Sequence, residues 1–256
     1  MTIKRSSWSI PYIVFLLLFV ALPLLLVVIY AFQDPSGGFT FANVAKFFSD
    51  KDALSTFALS IEVAIENTAI CLLLGYPAAW ILANKKFNKS AVTVILFILP
   101  MWINALLRTL ATAELLHMAG FQLGKGTLLF GMVYDYLPFM IYPIYNTLQK
   151  MDPSYAEAAE DLGANPASVF TKVTLPLSAP GIYSGIMMVF MPTVSTFAIS
   201  EFLTNNKIKL FGTIIQENIN SSMWNYGAAL ALVMLVIIGI TSLFTSDHKE
   251  TEGGMI

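Results

Sequence analysis

Six stretches of this chain are long and apolar enough to cross a lipid bilayer, and that constrains the fold more than any other feature. A helix needs roughly 20 predominantly apolar residues to span the hydrocarbon core. Segments at about 10–32, 58–83, 91–116, 127–149, 181–203 and 226–245 reach that length, and Ile10 to Phe32 contains no charged residue at all. The first run follows Lys4 and Arg5, as a secretory leader would. It is longer than a leader core and has no small-residue cleavage site, so a retained span is expected. In lipid each backbone polar group needs an internal partner, which helices provide. The expected fold class is therefore all-α and integral to the membrane, a single membrane domain over 1–256 with a polar tail at 246–256.

Composition agrees with that class and excludes others. The chain is 57% hydrophobic and 12% charged, with a mean hydropathy of +0.71; soluble domains carry about one-quarter charged residues. A net charge of −2 argues against nucleic acid as a partner. Cys71 is the only cysteine, so no disulfide forms within the chain and redox compartment is not readable from it. His117 and His248 are too isolated for a metal site. No GxxxxGK[ST] phosphate loop and no nucleophile–base arrangement occur, so no cofactor is expected in this chain.

Positive charge sets the orientation. Six alternating spans from a cytoplasmic N-terminus place Lys4, Arg5, Lys85, Lys86, Lys89, Lys150, Lys172 and Lys249 inside, and Lys46, Lys51, Lys125, Lys207 and Lys209 outside. Arg108 falls within the third span. Both termini are expected to be cytoplasmic. Prolines stand in or beside five spans (Pro23, Pro77, Pro100, Pro138 with Pro143, and Pro192), which points to kinked helices leaning on neighbours.

Between the fourth and fifth spans, at about 150–180, lies a polar segment that a plain helix connection would not need. Asp152-Pro153 reads as an N-cap followed by proline at the first helical position. Residues 153–162 favour helix, and Gly163 can end it in a left-handed conformation. Asn165-Pro166 repeats the start signal for a second short helix through Lys172, and Pro176 and Pro180 lead back to the membrane. The result is a rigid helix–turn–helix knob on the cytosolic side, either a docking element or a solvated connection.

Within that knob, Glu157-Ala158-Ala159, then Gly163, then Val173-Thr174-Leu175-Pro176 resembles the signature loop of permease subunits of ATP-binding-cassette importers, the type I permease fold. Gly75-Tyr76-Pro77-Ala78-Ala79-Trp80, Leu107-Arg108, Leu137-Pro138-Phe139-Met140, Pro143-Ile144-Tyr145 and Trp224-Asn225-Tyr226-Gly227-Ala228-Ala229 are similar to the spermidine/putrescine branch. The resemblance runs from about Pro11 to Phe244. It implies a bacterial inner-membrane transport subunit that is not itself an enzyme. Its implied partners are a second permease, a homodimeric cytosolic ATPase carrying ATP-Mg, and an external polyamine-binding protein. It also implies that Glu157, Ala158, Ala159, Gly163, Leu175 and Pro176 couple the ATPase to the spans. Two departures stand out. Thr204-Asn205-Asn206 replaces a glycine pair that family members often carry, and the connection at about 117–126 is short.

Charged groups in spans are costly and hence functional candidates. Glu62 and Glu66 share one helix face, four residues apart; Asp135 and Glu201 fall in the fourth and fifth spans. With Trp102, Tyr134 and Tyr136 as aromatic faces for ammonium groups, they form a candidate pathway for a polycation. Each has a plainer reading: Glu62 snorkelling to the outer interface, Asp135 bridging to Arg108, the aromatics as interfacial packing. Arg108 itself would repel a polyamine, which favours a structural or gating role. The expected function is polyamine import. The alternatives are a sulfate, thiamine or iron permease of the same architecture, or an ion-coupled secondary transporter.

Overall fold

The structure, a computed structural model, describes residues 10–84, 88 and 90–250. Lys4, Arg5, Lys85, Lys86 and Lys89, which carry much of the charge asymmetry, lie outside the described residues, as does the tail end at 251–256. Among the described residues regular structure is helical, apart from an isolated bridge between Gln33 and Phe39. The long helices are α1 (Pro11–Ala31), α3 (Lys51–Ala83), α6 (Lys125–Lys150) and α12 (Trp224–Glu250), with a short α2 (Ala42–Ser49) after the first.

The third span, expected over 91–116 with a kink at Pro100, is bent further than a kink. It is broken into α4 (Ala91–Ile98), with a 3₁₀ turn at Leu99–Trp102, and α5 (Ala105–Met118). The two halves meet at 92°. Pro100 cannot donate to the helical ladder, and the Asn104 side chain restarts it by accepting from Leu106 N (2.9 Å) and Leu107 N (3.3 Å). The fifth span is likewise α9 (Ala179–Ser195) and then α10 (Ala198–Thr204), parted at Thr196-Phe197 rather than continuous over 181–203. Before it, α7 (Ser154–Asp161) and α8 (Pro166–Leu177) form the knob, and α8 meets α9 at 61°. A further helix, α11, covers Phe211–Asn220.

Two wide, π-type turns fall at Leu17–Ala21 and Phe170–Thr174, each ending two residues before a proline, Pro23 and Pro176. A proline ring crowds the carbonyl four residues back; widening the turn makes room without ending the helix.

The chain divides into two compact units. In the first, residues up to Ser55 pair with Ile214–Ile240. The end of α1 leaves carbonyls without helical partners, and two asparagines supply them. Asn43 Nδ2 donates to Gln33 O at 2.9 Å, and Asn225 Nδ2 to the same oxygen at 2.7 Å. Tyr226 OH donates to Asp50 Oδ2 at 3.1 Å, and Lys46 Nζ lies 4.1 Å from the Tyr226 ring centroid. The Trp224-Asn225-Tyr226 motif is thus a tie between the last helix and the loop after the first. N–H groups of Ala53 and Asp52 and the Tyr226 hydroxyl hold the Asp50 carboxyl below the usual carboxylate range.

The second unit, Thr56–Thr213 in its main part, is built round α6. One apolar cluster joins Cys71, Tyr76, Met140, Ile144 and Val189; another joins Val63, Leu128, Met132, Leu203 and Leu210. Among the described residues, several buried polar contacts join its helices. Asn67 Nδ2 donates to Thr193 Oγ1 (2.8 Å), Thr127 Oγ1 to Leu203 O (2.8 Å), and Phe211 N to Ser60 Oγ (2.7 Å). Such bonds join helices where lipid offers no alternative partner.

At Thr204-Asn205-Asn206 the chain turns through two left-handed residues. Asn205 and Asn206 adopt φ of 52° and 60°, and Asn206 N donates to Glu201 O at 3.1 Å, closing the end of α10. Among residues with a side chain, asparagine enters this left-handed region most readily. Asn206→Val is expected to destabilise the protein by about 1–2 kcal/mol, and Asn206→Gly to match the parent, measured as thermal loss of the detergent-solubilised protein.

Candidate functional site

The knob forms as its residues dictate, with one shift in register. Asp152 Oδ1 accepts from Ser154 N at 2.9 Å, so α7 begins at Ser154, one residue after the expected start. The same N–H, with the Ser154 hydroxyl, holds the Asp152 carboxyl below the usual range. That cap contributes above the ordinary aspartate pKa and is lost only as pH falls through the lowered one, so it stays charged near neutrality. Gly163 takes φ +82°, where a residue with a Cβ is disfavoured. Its N–H donates to Glu160 O (2.9 Å), and Ala164 N donates to Ala159 O (3.0 Å), satisfying the last carbonyls of α7. Asn165 Oδ1 then accepts from Ser168 N at 2.8 Å, with Pro166 at the first helical position of α8. This second helix continues past Lys172 to Leu177, because the wide turn before Pro176 absorbs the proline instead of stopping there.

Glu157, Ala158, Leu175 and Pro176 are exposed and Ala159 is half-buried. At the tip of the turn Leu162 is 89% exposed. A leucine held out by a capped turn is an apolar contact offered to something else, and its place one residue before Gly163 was the only hint of it in the sequence.

Inward, the knob is tied to the second span. Tyr76 OH and Ser178 Oγ lie 3.0 Å apart, Ser178 Oγ donates to Leu175 O at 2.8 Å, and the Tyr76 ring meets Phe170 edge-on at 5.8 Å. Gly75 is small because Met140 lies against it; a Cβ there would stand 2.9 Å from Met140 Cγ. Gly75-Tyr76 is thus the joint between span and knob. On the other side Gly181 and Gly185, one helical turn apart on α9, lie against Pro143, Thr147 and Met140 of α6. This close glycine contact was not singled out in the sequence, although the GxxxG spacing of Gly181 and Gly185 could have shown it.

The acidic candidates separate into three places. Glu62 and Glu66 come together, bridged by Lys125, whose Nζ donates to Glu62 Oε1 at 2.7 Å and Glu66 Oε1 at 2.9 Å. The second oxygen of Glu66 is buried and accepts no hydrogen bond among the described residues. Lys125 lies about sixty positions along the chain, so no local spacing could announce it. Being partly exposed, such a bridge is worth about 0–1 kcal/mol. Asp135 is instead 2% exposed, with Oδ1 2.9 Å from Arg108 Nη2. Glu201 stands apart in the first turn of α10, half-buried. Of the aromatics, Trp102 is 85% exposed at the break in the third span, Tyr134 is exposed beneath Arg108, and Tyr136 is half-buried.

Comparison with known proteins accords with this architecture. The profile of a family described as binding-protein-dependent transport system inner membrane component matches residues 72–247. The spermidine/putrescine transport system permease protein PotB of Escherichia coli (strain K12) is 32% identical over 202 residues, 72% of this chain and 74% of that protein. Its counterpart in Haemophilus influenzae is 31% identical over 249 residues, 88% of this chain and 87% of that protein. A bacterial ABC transporter involved in import of the acidic polysaccharide alginate superposes with a TM-score of 0.65 at 15% identity, over 96% of this chain and 94% of that one. That likeness establishes the fold, a type I importer permease. The family profile covers both the Gly75-Tyr76 joint and the whole knob, and the chain belongs to the binding-protein-dependent transport system inner membrane components, as a transport subunit and not an enzyme.

Proposed function

We propose that this chain is a permease subunit of a polyamine importer, coupled through residues 150–180 to a cytosolic ATPase on other chains. The observation that carries the coupling is the knob: two short helices, capped at each start, presenting Glu157, Ala158 and Leu162 to solvent. A flexible loop would absorb a partner's motion; this one transmits it. ATP-Mg is held by the partner ATPase, a homodimer, and a second permease completes the pathway. An external binding protein delivers cargo, and both termini face the cytoplasm.

Spermidine and putrescine as cargo rest on the kinship with the permeases named above and on the chemistry of the acids. Glu62 and Glu66 already hold one ammonium, that of Lys125, which is the group a polyamine carries at each end. Trp102, Tyr134 and Tyr136 offer ring faces to a cation along the spans, and Glu201 a further carboxylate. Asp135 contributes by cancelling the charge of Arg108.

The test is uptake of labelled spermidine and putrescine by cells making the complete system, with and without this chain. An ATPase-dead control and unlabelled sulfate, thiamine and ferric competitors run beside it. Uptake that requires the chain and a live ATPase, and yields only to polyamines, is expected. Polyamine uptake indifferent to the ATPase rejects the importer; block by another competitor rejects the cargo. Glu66→Ala and Glu201→Ala are each expected to raise the KM for polyamine about three- to thirtyfold, the range for one exposed to partly desolvated charge contact, with normal amounts in the membrane. Parental kinetics in both variants would reduce these acids to packing roles.

A further inference from the structure

The ion pair at the break in the third span does more than neutralise two charges. Arg108, 6% exposed, ties its own helix to two other pieces of the chain. It stands in the first turn of α5. Its Nη1 donates to Pro100 O at 2.6 Å, at the end of the other half of the span. Its Nη2 lies 2.9 Å from Asp135 Oδ1 and donates to Asp135 O at 3.4 Å, both on α6. The guanidinium also lies 5.6 Å from the centroid of the Tyr134 ring. Asp135 is held in turn, since Thr109 Oγ1 donates to its Oδ2 at 2.9 Å.

Two details indicate what the contact is for. A broken helix leaves carbonyls without N–H partners, and in lipid those must be satisfied by a neighbour. Pro100 O lies at such a break: it keeps one long bond from Ile103 N at 3.3 Å, and its shorter partner is Arg108 Nη1. The guanidinium is also used for its fork: Nη1 and Nη2 point to different helices, a geometry an ammonium cannot reproduce. Nε is left without a partner among the described residues. The side chain is spent on bridging, not on full satisfaction of its own donors.

We infer that Arg108 and Asp135 form a latch that holds the 92° break in the third span and sets the position of its two halves against α6 during transport. They are positioning residues and do not bind cargo. This rests on the chain's membership of the permease family and not on the identity of the solute.

The experiment separates position from charge. In the assembled transporter, with Cys71 replaced by serine, spin labels at positions 95 and 115 report the bend, since Ile95 and Leu115 are both exposed. A straight helix would set those positions about 30 Å apart, and a right-angled break reduces this to roughly 20 Å. The parent should give a single short distance. Arg108→Lys keeps the charge beside Asp135 but loses the fork, and should broaden the distribution toward the longer value. A distribution as narrow and short as the parent's would overturn the latch.

The double variant Arg108→Met, Asp135→Leu removes both buried charges together, which membrane insertion tolerates far better than removing one. Its maximal uptake should fall about tenfold or more, as for loss of a hydrogen bond from a charged donor, with KM within about twofold of the parent. Full maximal uptake with a lowered KM would show instead that Arg108 acts by repelling a cationic cargo. Parental values of both would make the pair packing alone. Should the parent fail to move polyamines, the cargo reading falls while the spin-label distances still judge the latch.

Discussion

Proline at position 163 is expected to abolish coupled uptake while leaving the chain inserted in the membrane at normal amounts. Gly163 holds φ at +82°, and proline fixes φ near −65° and has no N–H. The substitution therefore removes the bond to Glu160 O and reverses the turn between α7 and α8. The cost, about 3 kcal/mol or more, falls on two short helices outside the spans. Uptake should drop at least about a hundredfold, the factor corresponding to that energy. ATP hydrolysis by the partner should cease to respond to loaded binding protein. Gly163→Asn separates conformation from bulk, because nothing lies within 4 Å of a Cβ there. Asparagine tolerates the left-handed region, so most uptake should persist. Equal loss in both variants would mean that the surface itself, not the turn, is what the partner reads. Glu157→Lys supplies the complementary result: the knob stays folded, insertion is unchanged, and uptake is lost through the docking face alone.

The second large effect is expected at Gly181. A Cβ at this position would lie 2.6 Å from Thr147 Oγ1 and 2.9 Å from the Pro143 carbonyl oxygen. The serious neighbour is the carbonyl, since backbone cannot rotate away as a side chain tip can. Gly181→Val forces α9 off α6 where the knob is rooted, and overpacking of this kind costs about 1–3 kcal/mol, with more where backbone blocks relaxation. The variant should accumulate poorly and lose its fold at lower temperature in detergent. Gly185→Ala should be milder, because its nearest neighbour is the flexible Met140 sulfur at 2.7 Å. A Gly181→Val protein with parental thermal stability would show that the two helices separate freely. The close contact would then not matter.

What the sequence made legible depended on how local the cause was. The apolar runs, the caps at Asp152 and Asn165 and the glycine at 163 are all decided within a few residues, and the knob folds as they require. The breaks in the third and fifth spans were harder, because hydropathy is indifferent to whether an apolar segment is one helix or two. Pro100 was legible as a kink, but Asn104 was not singled out as a restart, and the carbonyl partner that Arg108 supplies between them comes from the far half of the span. The Lys125 bridge joins positions about sixty residues apart, and nothing near either end requires it. Asn205 and Asn206 looked like a departure from the glycine pair; both take up left-handed angles, a region that glycine enters freely and asparagine more readily than other side chains.

The knob begins at the end of α6 and returns at the start of α9, and those two helices are the ones that meet through Gly181 and Gly185. Both its roots are therefore set in one stiff body. A push on such an element cannot be taken up by its two ends sliding past each other. It must turn the helix pair as a whole, as a key bit turns its shank. A short displacement at the tip then becomes a rotation felt along the full length of α6, including the level of Asp135. Selection on this chain should accordingly allow the tip to vary with its partner and refuse any added methyl group at the root.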